Sequence, residues 1–224
     1  MYLSKITLRP SQQSAKKLLD IKSTGPYASH QLMWQLFLHQ EKRDFLFREE
    51  MGKSGLAEFF VLSPVEPQGD RNVFNVQSKP FIPVLPQGKR LAFKLRVNPT
   101  IYSKDATGKS KRHDVLMHAK YQVKKDKPID RTKLNVLMNQ AAITWISDSE
   151  RLESWGIQLD AIPEIERYDQ HKSSKISGQK MQFSSVDFQG LLTVAEPQKF
   201  IEKLYSGFGR AKSMGCGLML IRPI

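Results

Sequence analysis

Gly207-Phe-Gly-Arg-Ala-Lys-Ser-Met-Gly-Cys-Gly217, followed by the apolar Leu218-Met-Leu-Ile221, is the stretch that orders the rest of the chain. Four glycines and two cations share one short loop. Ahead of it, Pro197 to Ser206 places Phe200, Ile201 and Leu204 on one helical face, and behind it a continuous apolar run reads as a strand. Glycine admits positive φ and close backbone approach, and successive unpaired N–H groups in such a loop form a concave anion site. Gly207, Gly209, Arg210, Lys212 and Ser213 are therefore candidate phosphate contacts. Known nucleotide loops do not fit. A Walker A loop needs Gly directly before Lys-Ser, where Ala211 stands. A dinucleotide fingerprint needs Gly at Lys212 and opens a helix rather than leading into a strand. On spacing alone the same glycines serve equally as a helix C′ residue and a tight turn into the last strand.

Working outward, residues 89–224 read as strand, helix, two strands, helix, strand. Leu91 to Val97 alternates apolar with basic residues. Asp130 is placed to cap a helix with Leu134, Leu137, Met138, Ala141 and Trp145 on its apolar stripe. Strands follow at Gly156 to Tyr168 and Lys180 to Val194, joined by a basic hairpin tip that carries Lys172, Lys175 and Lys180. Residues 1–88 give a similar order. A strand at 2–8 is followed by a helical turn around Lys16 to Ile21 and a helix from Pro26 with Leu32, Met33, Leu36 and Phe37 on its apolar face. Strands at Arg43 to Arg48 and Leu56 to Val65 flank a Met51–Gly55 hairpin loop; a short helix is expected within 66–76 and an edge strand over Pro80 to Pro86. The same order twice predicts an α+β chain of two tandem ferredoxin-like (RRM-like) βαββαβ domains, 1–88 and 89–224, without a visible sequence repeat. The polar run 104–127 reads as a solvated loop, or more sharply as a nucleic-acid patch carrying Lys109, Lys111 and Arg112.

Thirty-five Lys and Arg against twenty-two Asp and Glu leave a formal charge of +13. That imbalance suits an anionic partner: nucleic acid, an anionic membrane surface or an acidic protein. A membrane is disfavoured by the lack of any apolar run near the roughly 18 residues of a span and of a strongly amphipathic basic helix. The single cysteine, Cys216, cannot form an internal disulfide and suits a reducing compartment, so a soluble cytoplasmic protein is expected. Cys216 reads as a small buried residue rather than a nucleophile.

The five histidines show no metal-binding spacing, so no metal and no cofactor is expected. Tyr27, His30 and Trp34 follow i, i+3, i+7 spacing on the Pro26 helix, near an N-terminus whose dipole favours an anion. Trp34 reads as core. Internal attack of an RNA 2′-hydroxyl needs no metal; it needs a proton acceptor, a donor for the leaving oxygen, and positive or N–H groups on the phosphate. His30, Tyr27 and the glycine loop supply these types, provided that tertiary structure brings them together.

The chain resembles the CRISPR repeat-RNA endoribonucleases of the CasE type, subunits of the Cascade complex of type I-E systems. The resemblance rests on the Met1-Tyr-Leu-Ser-Lys5 strand, Tyr27-Ala-Ser-His30-Gln with Trp34, Arg43-Asp-Phe-Leu-Phe47, the Leu95-Arg-Val-Asn-Pro99 turn and Ala211-Lys-Ser-Met-Gly-Cys-Gly217. It implies metal-independent cleavage of precursor CRISPR RNA at each repeat stem-loop, leaving a 2′,3′-cyclic phosphate and a 5′-hydroxyl. It also implies a catalytic role for His30, a supporting one for Tyr27, an RNA-facing glycine loop, the basic hairpin along the RNA stem, and other Cascade subunits as partners. The competing expectation is a guide-RNA-binding subunit of the same fold that does not cut.

Overall fold

The N-terminal sheet begins with a strand whose alternate residues are buried. In β1 (Tyr2–Leu8) Ser4, Ile6 and Leu8 point inward, and Ser4 Oγ hydrogen-bonds Ser78 Oγ at 2.8 Å across the sheet. The computed structural model describes residues 1–38, 40–52, 55–104, 107–124, 130–174 and 180–224, with backbone alone at 18, 20–24, 124, 173, 174, 180 and 181. After β1 come helices α1 (Gln12–Thr24) and α2 (Pro26–Trp34), then β2 (Leu46–Met51), β3 (Ala57–Ser63) and β4 (Phe74–Pro80). The antiparallel sheet order is β2-β3-β1-β4, the ferredoxin-like arrangement in which a hairpin partner separates the first two strands of the chain. Ile6, Phe47, Phe59 and Val61 of the sheet and Leu32, Met33, Leu36 and Phe37 of and just beyond α2 form one buried cluster. Each large apolar side chain so buried contributes about 1.5–3 kcal/mol.

The second half continues with β5 (Arg90–Val97), β6 (Thr100–Lys104), β7 (Ser110–Asp114), α3 (Val115–Lys124), α4 (Arg131–Ile146), α5 (Ser149–Trp155), β8 (Ile157–Leu159), β9 (Glu164–Ser174), β10 (Lys180–Val194), α6 (Pro197–Ser206) and β11 (Met219–Pro223). Its main sheet runs β11-β5-β10-β8, with β9 also on β10. The two sheets make a duplicated βαββαβ-like, α+β fold. Leu91, Phe93, Leu95 and Val97 bury one face of β5, and Val186, Phe188, Leu192 and Val194 bury the matching residues of β10. Spatially the chain falls into two compact units. One gathers Met1–Val84, Gln170–Phe183 and Leu204–Leu218; the other gathers Leu85–Asp169, Ser184–Lys203 and Met219–Ile224. Among the described residues no helix is long and apolar enough to cross a membrane.

Several expected elements fall elsewhere. The helix expected within 66–76 is a turn: Asp70 accepts from Asn72 N through its side chain and from Val73 N and Phe74 N through its carbonyl, so the chain reverses and enters β4. The edge strand expected over Pro80 to Pro86 lies earlier, as β4 from Phe74 to Pro80; Pro83 and Pro86 bring no N–H to a ladder beyond it. Of the expected loop 104–127, residues 105–106 and 125–127 lie outside the described ones, and residues 104 and 110–124 are strand and helix. They form the β6–β7 hairpin and α3, with Asp114 Oδ1 capping the helix at Met117 N, 2.8 Å away. Helix α1 is longer than the turn expected at 16–21, with the Ser11 hydroxyl accepting from Ser14 N near its start. Asp130 precedes α4 without a side-chain cap, and the buried stripe of α4 is Met138, Ala142, Trp145 and Ile146, leaving Leu137 exposed.

Across β5 and β10, Arg96 Nε and Nη2 each donate to Asp187 at 2.7 Å, in a pair largely removed from water. Removing one partner of such a pair leaves the other charge uncompensated. Asp187→Ala is expected to cost about 3–5 kcal/mol in urea unfolding. Replacing both residues by apolar groups of matched volume is expected to cost far less.

Candidate active site

Helix α2 is set in place at both faces. Gly25 (φ 71°) turns the chain into Pro26, whose missing N–H costs nothing at a helix start, and Ala28 N donates to the Gly25 carbonyl at 2.9 Å. Leu32 and Met33 bury the inner face. Beside them, buried Ser29 donates from Oγ to Glu49 Oε2 of β2 at 2.5 Å, which fixes the rotation of the helix against the strand. One residue on, His30 stands over an aromatic layer. Its ring lies 6.3 Å from Phe45, inclined by 26°, with Tyr27 at 6.4 Å and Trp34 at 6.1 Å. The expected Tyr27–His30–Trp34 face is therefore real, and Trp34 packs on the core cluster as anticipated.

Both ring nitrogens of His30 are buried and have no hydrogen-bond partner among the described residues. Its pKa is held below the usual histidine range, first by burial and then by the Arg43 charge nearby. The imidazole is thus neutral at neutral pH and able to accept a proton. The Arg43 guanidinium donates from Nη1 to the Phe45 carbonyl and lies 5.7 Å from the centre of the Phe45 ring. Burial lowers the pKa of Arg43 too, with Asp44 opposing.

The glycine loop reaches this same unit. A one-turn 3₁₀ helix, Lys212–Met214, packs against both α2 and β2. A Cβ on Gly207 (φ 80°) would stand 2.8 Å from the Leu46 methyls, and one on Gly215 3.3 Å from the Phe47 ring. Adjacent strand residues point to opposite faces, so the loop straddles β2, which lies at the edge of its sheet. Phe208 N donates to the Gly217 carbonyl at 2.9 Å to close the loop, and Cys216 is fully buried within it. Lys212 Nζ donates to the Ser206 carbonyl at 2.6 Å, at the end of α6, while Arg210 is exposed and Gly209 and Ser213 are partly covered.

Of the basic hairpin, Lys172 is exposed on β9, and its backbone oxygen lies 3.7 Å from where a Gly25 Cβ would be. Lys175 lies outside the described residues, and Lys180 is described by its backbone alone. His171 stacks on Phe183 at 4.6 Å within this hairpin. The helix N-terminus, the glycine loop and the root of the hairpin therefore belong to one compact unit. Lys109, Lys111 and Arg112 do not join them; they are exposed on the hairpin of the other unit. Ser29, Arg43 and Phe45 were not marked by sequence reasoning. Their only signal was membership of the Tyr27–His30 and Arg43–Phe47 stretches, the second read simply as a strand. Among the described residues no three His, Cys, Asp or Glu side chains gather as metal ligands.

Gly217 (φ 90°) would bring a Cβ to 2.7 Å from the Phe208 carbonyl oxygen, a backbone atom that cannot swing aside. Gly217→Ala is expected to lose about 1–3 kcal/mol from strain, plus the cost of displacing the turn. Gly88→Ala has a similar φ of 79° with nothing within 4 Å, so it should lose less in the same urea titration.

The sequence matches the family described as CRISPR associated protein over residues 1–223. It is 26% identical over 232 residues to the CRISPR-associated endoribonuclease Cse3 of Thermus thermophilus, with all of both chains covered. It is likewise 26% identical over 227 residues, with complete coverage of both, to the CRISPR system Cascade subunit CasE of Escherichia coli. A solved structure of CRISPR endoribonuclease Cse3 bound to a 19-nucleotide RNA is 24% identical over 100% of each chain; at a TM-score of 0.70 it has the same fold. With that fold, and a family match spanning nearly its whole length, the chain belongs to the CRISPR-associated proteins of the CasE/Cse3 type.

Proposed function

We propose that the chain is an endoribonuclease that cuts CRISPR repeat stem-loop RNA by attack of the substrate's own 2′-hydroxyl, and that it keeps the mature product within Cascade. The observation that carries this reading is His30: a neutral imidazole whose two nitrogens are buried and have no partner among the described residues, on a helix against which the Lys212–Met214 turn packs. An unpaired buried polar group costs stability, and such groups gather where a ligand completes them. The names of the two curated relatives agree, one an endoribonuclease and the other a Cascade subunit.

In the proposed reaction His30 takes the proton from the 2′-hydroxyl as its oxygen attacks phosphorus. The P–O5′ bond breaks, a 2′,3′-cyclic phosphate forms, the leaving oxygen takes a proton from water to become a 5′-hydroxyl, and His30 returns its proton to solvent. Tyr27, one helical turn before His30, supports the phosphate through its hydroxyl. N–H groups and cations of Gly207, Gly209, Arg210, Lys212 and Ser213 offset the charge that builds on the phosphoryl oxygens. Lys172, Lys175 and Lys180 track the stem, and Lys109, Lys111 and Arg112 add backbone contacts farther along the RNA. No step calls for a metal.

Loss of a positioned general base costs about 10²–10⁴-fold. His30→Ala should therefore slow single-turnover cutting by at least that range while leaving repeat binding within a few-fold. A 2′-deoxy nucleotide before the scissile phosphate should stop cutting, and excess EDTA should not. Cutting of the deoxy RNA, or an EDTA block relieved by magnesium, would show a metal-activated water instead. A chain that binds the repeat tightly but never cuts it would be a guide-RNA-binding subunit.

The pH dependence has a defined sign. With the pKa of His30 below 6.5, the rate should rise with pH through that lowered value and be level at neutrality. Arg43→Ala removes a charge that disfavours the imidazolium, so the midpoint should move up. An NMR titration of the His30 ring in both proteins checks it; a midpoint that moves down, or stays, removes Arg43 from the account.

A further inference from the structure

In a βαββαβ domain the first strand leads into the first helix, yet here β6, β7 and α3 intervene between β5 and α4. This insertion is anchored at its base. Asn98 Nδ2 donates to the Ser184 carbonyl at 2.7 Å, Ser184 Oγ donates to Asp114 Oδ2, and Trp145 Nε1 donates to the Thr100 carbonyl at 3.1 Å. Away from that base, Tyr102, Lys104 and residues 109–112 are exposed. Register pairs Tyr102 with Arg112 and Lys104 with Ser110, so Tyr102, Arg112 and Lys104 share one face of the ribbon. Tyr102 is 60% exposed, and both cations are exposed. The acid on that face, Asp114, sits at the anchored end, bonded to Ser184 and to the start of α3. An aromatic face flanked by two cations contributes little to the core, and it has the composition of a site for unpaired nucleotides.

We propose that this ribbon face binds single-stranded RNA, one base stacking on Tyr102 while Arg112 and Lys104 hold the neighbouring phosphates. The choice of RNA as the anion rests on the function proposed above. The choice of a single strand rests on the ring, because bases within a duplex offer no free face to stack. A stem-loop cut out of a longer precursor has further nucleotides beside it, and any left outside a duplex offer a free base face. The ribbon gives those nucleotides a binding site of their own, in the unit that lacks His30.

The test measures dissociation constants by fluorescence anisotropy with the full chain and two RNAs. One is the blunt repeat stem-loop; the other is the same stem-loop with an oligouridine extension of about ten nucleotides, within the span such sites cover. The extension should tighten binding to the unaltered chain. Tyr102→Ala should weaken the extended RNA about tenfold and the blunt RNA not at all, with Tyr102→Phe close to the unaltered chain. Arg112→Ala should reduce the salt slope on the extended RNA by about 0.7. An unchanged affinity of Tyr102→Ala for the extended RNA, with its melting temperature unmoved, overturns the proposal. So does an equal loss on both RNAs. Cutting of the blunt stem-loop in EDTA is scored separately: its failure sinks the enzymatic reading and leaves a Tyr102-dependent gain from the extension standing.

Discussion

The first unit depends on one aromatic layer. Phe45 stacks on Phe37 at 4.7 Å, touches Trp34 at 5.7 Å and Phe47 at 6.3 Å, and supports His30 from below. Phe47 in turn lies under Gly215, while Leu46, facing the opposite way, lies against Gly207. Three consecutive residues of one chain segment thus lie against the histidine and two glycines of the loop. Aromatic rings carry large buried area with fixed geometry, and close-packed interiors transmit displacement rather than absorb it. A change of volume at Phe45 or Phe47 therefore acts on the histidine and the loop together, and the relative placement of the two is a property of core packing.

The same layer explains how a partnerless histidine persists. Two buried nitrogens without partners cost on the order of 1–3 kcal/mol each. The surrounding structure over-determines the ring: Ser29 is bonded to Glu49 one residue before it, and Tyr27, Trp34 and Phe45 confine it on three sides. The neighbouring Ser29 shows the contrast, since its buried hydroxyl is satisfied within the fold. Arg43 adds an electrostatic constraint. By disfavouring the imidazolium it helps keep His30 neutral.

Much of this fold was legible where hydrophobic periodicity was strong. Strands β1, β5 and β10 and helix α6 carry clear period-2 or helical patterns, and the order of elements suffices for the ferredoxin-like assignment. Reading failed where short-range polar chemistry outweighed pattern. Asp70 draws 70–74 into a turn that apolar spacing does not show, and Asp114 starts a helix in a stretch so basic that it reads as loop. On the site itself, the Tyr27–His30 face follows from i, i+3 spacing, because neighbours on one helix are local. The approach of the glycine loop does not follow, because it is made by Leu46 and Phe47 meeting residues from the far end of the chain. Arg43 stayed hidden for the same reason: its effect on His30 passes through space and a shared ring.

The division of the chain into compact units adds a final constraint. Residues 204–218 belong with the N-terminal sheet, although α6 begins and β11 continues in the other unit. The chain therefore leaves one unit, supplies a glycine turn to the other, and returns within a few residues. Such a short excursion needs backbone that reverses tightly at both ends, and Gly207 and Gly217 stand at those ends with positive φ and no room for a side chain.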